Sequence, residues 1–112
     1  HDFEGITVMD DEKPRLVANL GDKPLLILRN HGLLACGRTI PEAFINLWSL
    51  ERSCEVQVTC DSTNQPMIPV PNEVLERSEQ LMAKQNMGNP LGELEFSAFV
   101  RIIDKIDSSY KN

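Results

Sequence analysis

Basic residues are in short supply: 11 Lys and Arg stand against 17 Asp and Glu, a formal net charge of -6. Phosphate backbones and anionic headgroups are gripped by clustered Lys and Arg, so nucleic acid and membrane surfaces are poor partners for this chain. Long apolar runs are missing too. Nothing approaches the roughly 18 consecutive apolar residues that a membrane-spanning helix needs. Residues 1–20 hold no basic stretch followed by a signal-peptide core. A water-soluble protein is expected. Cysteine is sparse: Cys36, Cys54 and Cys60 are odd in number and lack CxxC spacing. That usage suits free thiols in a reducing cytoplasm better than a disulfide framework. No initiating methionine is present, and His1-Asp2-Phe3-Glu4-Gly5 begins in mid-pattern, as in a piece cut from a longer chain.

What is present is enough apolar material, 41% of 112 residues, for one small domain or part of a larger one. Ile6 to Met9 is a short β-branched run that reads as a strand. Asp10 follows as the cap of a short helix reaching Leu20, with Gly21 in the left-handed position beyond it. Leu25-Leu26-Ile27-Leu28 is apolar on both faces, the pattern of a strand covered on two sides, and Leu33 to Gly37 returns as its partner. Asn30-His31-Gly32 is then the connection, because Asn and Gly tolerate the positive φ of tight turns.

Thr39-Ile40-Pro41-Glu42 has the spacing of a capping box and opens a helix of about 18 residues with Phe44, Leu47, Cys54 and Val58 along one face. Three prolines between Asp61 and Pro71 stop it. A second helix carries Val74, Leu75, Leu81 and Met82 and ends near Gly88, and a third runs from Leu91 to Ile106. The tail, Ser108 to Asn112, has no apolar period. Residues 1–38 are thus strand-rich and 39–112 helix-rich within one domain, an α/β layered arrangement rather than a bundle.

Between the two strands stands the polar triplet Arg29-Asn30-His31. A side chain at a turn between apolar strands is held firmly while its tip stays accessible, as a metal ligand or acid-base group requires. On pattern alone the leading reading of His31 is an ordinary surface histidine, since catalytic zinc takes three protein ligands and no second His lies nearby. Arg29 is a candidate contact for an anionic substrate, against a simple ion pair with a neighbouring carboxylate. Asn30 is a candidate beside it, against a role in turn geometry. Asp2 and Glu4 read as solvated, Cys36 and Cys54 as small core residues, and Trp48 as partly buried. Tyr110 either reaches a neighbouring site or stays unordered.

The run Leu28-Arg29-Asn30-His31-Gly32-Leu33-Leu34, with Gly37-Arg38-Thr39, Glu42-Ala43-Phe44 and Leu50 to Val58, resembles the C-terminal half of the class II aldolase/adducin family. His1 to Gly5 and Asp107 to Tyr110 are similar to its bacterial aldolase-like branch. The resemblance implies part of a three-layer α/β/α sandwich with a mainly antiparallel central sheet, assembled as a homotetramer. It also implies a metal-dependent lyase, in which a divalent cation, commonly zinc, stabilises the enediolate formed when a small sugar phosphate or hydroxy-carbonyl compound is cleaved. His31 matches the family's metal-binding histidine. The His-x-His pair and acidic catalytic residue belong to the family's N-terminal half, and no His-x-His occurs here, so this chain alone is expected to be inactive. His1 has no assigned ligand role. A non-catalytic adducin-like interaction module and a truncated, inactive homologue are the alternatives. If the other half supplies strands beside Leu25 to Leu28, an apolar sheet edge or face is left uncovered here, and the chain is expected to self-associate or take a partner.

Overall fold

A computed structural model describes residues 1–5, 10–85 and 90–111. The elements run α1 (Glu12–Leu20), β1 (Leu25–Leu28), β2 (Gly32–Ala35), α2 (Ile40–Ser62), α3 (Asn72–Gln85), α4 (Glu93–Ile106) and a closing 3-10 turn, Ser109–Lys111. The arrangement is mixed α/β with an antiparallel sheet. The strand expected over Ile6 to Met9 and the helix end expected near Gly88 lie outside the described residues.

The helix α1 starts one residue later than Asp10 implies. Asp11 stands at its N-cap without a side-chain cap bond, and the Asp10 carboxylate takes the Lys13 ammonium at 2.7 Å instead. At the other end Gly21 has the expected positive φ, 60°, and its N–H donates to the Val17 carbonyl at 2.9 Å.

Strands β1 and β2 pair with Leu25 opposite Ala35 and Leu28 opposite Gly32. The connection is therefore Arg29-Asn30-His31, with Gly32 already inside β2 and Cys36 and Gly37 beyond it. The His31 N–H closes the bend onto the Leu28 carbonyl at 3.2 Å. Asn30, with φ of 53°, takes the position that demands left-handed backbone. The two-sided cover expected for β1 is incomplete: Ile27 remains 56% exposed, and its neighbours are half-buried.

The capping of α2 differs in one bond from the simple box. Thr39 Oγ1 accepts the Glu42 N–H at 3.2 Å as expected, but the Glu42 carboxylate takes the Arg38 N–H at 2.8 Å rather than that of Thr39. The helix continues to Ser62, past the apolar period read from the sequence, before the proline-rich stretch ends it. It packs on both strands and carries α4 on its other contacts. Phe44 meets the rings of Phe96 and Phe99 edge-on, each at 5.4 Å between centroids. Gly92, buried and at φ of 84°, lets the start of α4 come this close, since a Cβ there would fall on the Pro41 carbonyl.

No apolar side chain among the described residues is fully buried, although the composition allows a core. The radius of gyration, 17.5 Å, exceeds the about 13 Å of a compact 100-residue domain. Among the described residues helix α3 packs on no other element, and Val74, Leu75, Leu81 and Met82 are exposed. Cys36 is exposed rather than in a core, and Cys54 is half-buried. The cause is geometric: one hairpin and one long helix offer too little surface to cover three amphipathic helices.

The described part of the tail, Ser108 to Lys111, folds back on α4. Tyr110 Oη donates to Asp104 at 2.6 Å, and the Lys111 ammonium pairs with the same carboxylate at 2.7 Å. The lysine bond, then the phenol, holds the Asp104 carboxyl below its usual range, while Asp104 pushes the phenol of Tyr110 up. These contacts therefore stabilise the tail between two limits. They are lost as pH falls through the depressed Asp104 value, and again as pH rises through the raised Tyr110 value.

Two outcomes are expected. Asn30→Gly shifts the urea midpoint little, whereas Asn30→Val, which resists left-handed backbone, costs about 1–2 kcal/mol; equal midpoints for the two variants would refute the assignment of the bend. The chain has one tyrosine, so ultraviolet titration reads Tyr110 alone. In Asp104→Asn its ionisation moves down toward the free value of about 10, and an unmoved midpoint would mean the contact is absent in solution.

Candidate functional site

The polar groups gather where the N-terminal segment meets the end of β1. His1 makes two backbone hydrogen bonds there: its nitrogen donates to the Ile27 carbonyl at 3.1 Å, and its carbonyl accepts from the Arg29 N–H at 3.0 Å. Bonds that flank Leu28 in this way are the pattern of a parallel bridge, on the edge of β1 that β2 does not occupy.

Side chains fasten the same segment. The Arg29 guanidinium donates to the Asp2 carboxylate at 2.6 Å across 27 residues of sequence, both groups being largely exposed. Glu4 is clamped by Arg15 of α1, whose Nε donates to Oε1 at 2.9 Å. That hydrogen bond holds the Glu4 carboxyl below its ordinary value and pushes the Arg15 guanidinium up. The His1 imidazole, with only 5% of its side chain exposed, has Nε2 at 3.2 Å from Glu12 Oε1 and Nδ1 at 3.3 Å from Asn19 Oδ1. Both ring nitrogens thus face polar partners on α1, which builds His1 into the structure.

His31 stands at the mouth of this region. Its imidazole is exposed on the bend, and the Phe3 ring lies 6.4 Å away between centroids at an interplanar angle of 43°. The segment His1–Gly5, with Glu12, Leu16, Leu28, Arg29 and His31, encloses a recess of about 70 Å³. Pockets that hold small organic ligands measure about 300–1,000 Å³, so this recess by itself does not house a sugar phosphate.

Of the residues singled out by sequence, Arg29, Asn30 and His31 share one bend, but they do different things. Arg29 pairs with Asp2, Asn30 supplies positive φ, and His31 presents an exposed imidazole. Asp2 and Glu4 are not merely solvated, because each has a guanidinium partner. Trp48, 45% exposed, is partly buried as expected. Tyr110 is tied to Asp104. The partnerships of His1 with Glu12 and Asn19, and of Phe3 with His31, escape sequence reasoning, since no local spacing announces contacts between segments so far apart.

As for a divalent cation, the described residues do not fit one. No group of three or more His, Cys, Asp or Glu side chains among them converges on a point that could hold a metal ion. A catalytic zinc takes three protein ligands, and His31 offers one. No described helix is long and apolar enough to cross a membrane.

Residues 3–58 match the model for the class II aldolase and adducin N-terminal domain. A Pseudomonas aeruginosa protein assigned provisionally to aldolase class 2 is 37% identical over 99% of this chain and 44% of its own length. Alpha-adducin of Rattus norvegicus is 38% identical over 95% of this chain and 16% of its own. The crystal structure of an aldolase II superfamily protein from Pseudomonas syringae superposes with a TM-score of 0.84 at 34% identity, covering 100% of this chain and 44% of that one. The chain thus spans less than half the length of these relatives, and it belongs to the class II aldolase/adducin family.

Proposed function

We propose that this chain supplies His31 as one donor to the divalent-metal centre of a class II aldolase-type lyase. The reaction class is aldol cleavage of a small sugar-phosphate or hydroxy-carbonyl compound. The single observation behind this reading is an exposed imidazole on the hairpin bend, within the residues that match the family; the resemblance of the Arg29-Asn30-His31-Gly32 run gives it the role of metal donor. A turn built only for its shape has no need of imidazole.

The remaining donors of such a centre come from outside the described residues, because those residues hold no metal-binding group of their own. The chain corresponds in this reading to the C-terminal half of the family domain, residues 1–112 forming one unit. Zinc is the cation proposed, a homotetramer the assembly, and the cytoplasm, with its reducing conditions, the compartment that suits three free thiols. Arg29 and Asn30 stand beside His31 as secondary substrate contacts. Substrate binding by Arg29 asks only that an exposed pair with Asp2 be broken, and exposed pairs are weak.

A second reading rests on a different observation. Alpha-adducin is as similar to this chain as the bacterial relatives are, and α2 and α3 carry apolar side chains that stay exposed among the described residues. In that reading the fold is kept for assembly, as a non-catalytic interaction module or an inactive homologue.

Equilibrium dialysis against Zn²⁺ followed by elemental analysis separates the two. A lone imidazole binds weakly, so the comparison is made at equilibrium and beside a His31→Ala control. Higher zinc content in the unsubstituted protein is expected. Equal content in both would remove His31 from any metal site. Equal content together with self-association by light scattering that a chelator leaves unchanged would favour the interaction module.

A further inference from the structure

We infer that Phe3 is a positioning residue for His31: the segment His1–Gly5 is strapped to the hairpin so that the Phe3 ring limits the directions in which the imidazole points. The ring contact is the 6.4 Å pair already described. What makes it more than a chance neighbour is the fastening on each side of Phe3. Before it come the bridge of His1 to Ile27 and Arg29 and the Asp2 pair with Arg29; after it comes the clamp of Glu4 by Arg15. The backbone of Phe3 cannot swing away without breaking one of these.

His31 is constrained at its backbone in the same way. Its N–H is committed to Leu28, and Asn30 before it is set in left-handed geometry. Only the side-chain torsions of His31 are left undetermined, and an imidazole on an exposed bend samples several rotamers unless a neighbour selects among them. An aromatic pair contact is strong enough to favour one orientation by about two- to tenfold. A donor held in one orientation loses less freedom on engaging its ligand, which is how surrounding residues support a functional group.

The geometric part stands without any metal; its consequence for ligation rests on the reading of His31 as a donor. The test uses the whole 112-residue chain with isotope-labelled histidine, His31→Ala serving to assign the two imidazoles. In the unsubstituted protein, cross-relaxation between the Phe3 and His31 rings is expected, and its absence would overturn the inference with no variant needed. His31 rotamer populations from side-chain couplings should broaden in Phe3→Leu and return in Phe3→Tyr, with thermal stability similar throughout. Titration with Co²⁺ alone, followed by paramagnetic shifts of the His31 ring, is expected to weaken by about two- to tenfold in Phe3→Leu, the range set by the ring contact. Unchanged rotamers in Phe3→Leu would refute the positioning role. If Co²⁺ leaves the His31 signals unmoved in the unsubstituted protein, the donor reading fails, while the rotamer measurement still decides the role of Phe3.

Discussion

The antiparallel pairing of Leu25–Leu28 with Gly32–Ala35 is the constraint on which the other elements depend. Four residues on each side are joined by a bend of three, so the register leaves no slack for a different connection. Among the described residues helix α1 packs on β1, α2 packs on both strands, and α4 reaches the sheet through α2. A slip of one residue would turn Leu26 and Leu34 away from the faces they now cover and carry His31 off the end of the sheet. The positive φ of Asn30 is therefore a small local feature with wide consequences.

Packing beyond the hairpin is thin. Helices α2 and α4 meet through a cluster of three phenylalanines, and Gly92 permits the approach, but no apolar side chain among the described residues is sealed from water. Exposed apolar surface on this scale is what partner chains or further parts of a domain usually cover. In contrast, the polar contacts around the N-terminal segment are dense. Two backbone bonds, two guanidinium-carboxylate pairs and a nearly buried imidazole hold five residues to β1 and α1. The order of the site thus comes from hydrogen bonds and charge pairs more than from hydrophobic burial.

That division also explains which features could be read in advance. The Thr39 cap, the stop at the proline-rich stretch and the strands around Arg29-Asn30-His31 are written in short-range patterns, because they follow from backbone donors, fixed φ and apolar period. The family resemblance rests on the same stretch and marked His31. Reading failed where a short-range rule met a competing partner. Asp10 went to Lys13 instead of capping α1, Glu42 reached Arg38 instead of Thr39, and Tyr110 found Asp104 six residues back. Each is a choice among nearby polar groups that differ little in energy.

By itself the sequence determined most of the described elements and the hairpin whose bend carries His31, since each depends on neighbours within a few residues. Only the tertiary structure decided that His1 is locked between Glu12 and Asn19, that Arg29 is spoken for by Asp2, and that Phe3 lies beside His31. The contacts to Arg29 and His31 join segments separated by an entire helix and strand, and those of His1 reach into α1. Their geometry exists only after β1 has formed and the N-terminal segment has settled along its free edge, so no local pattern can encode it.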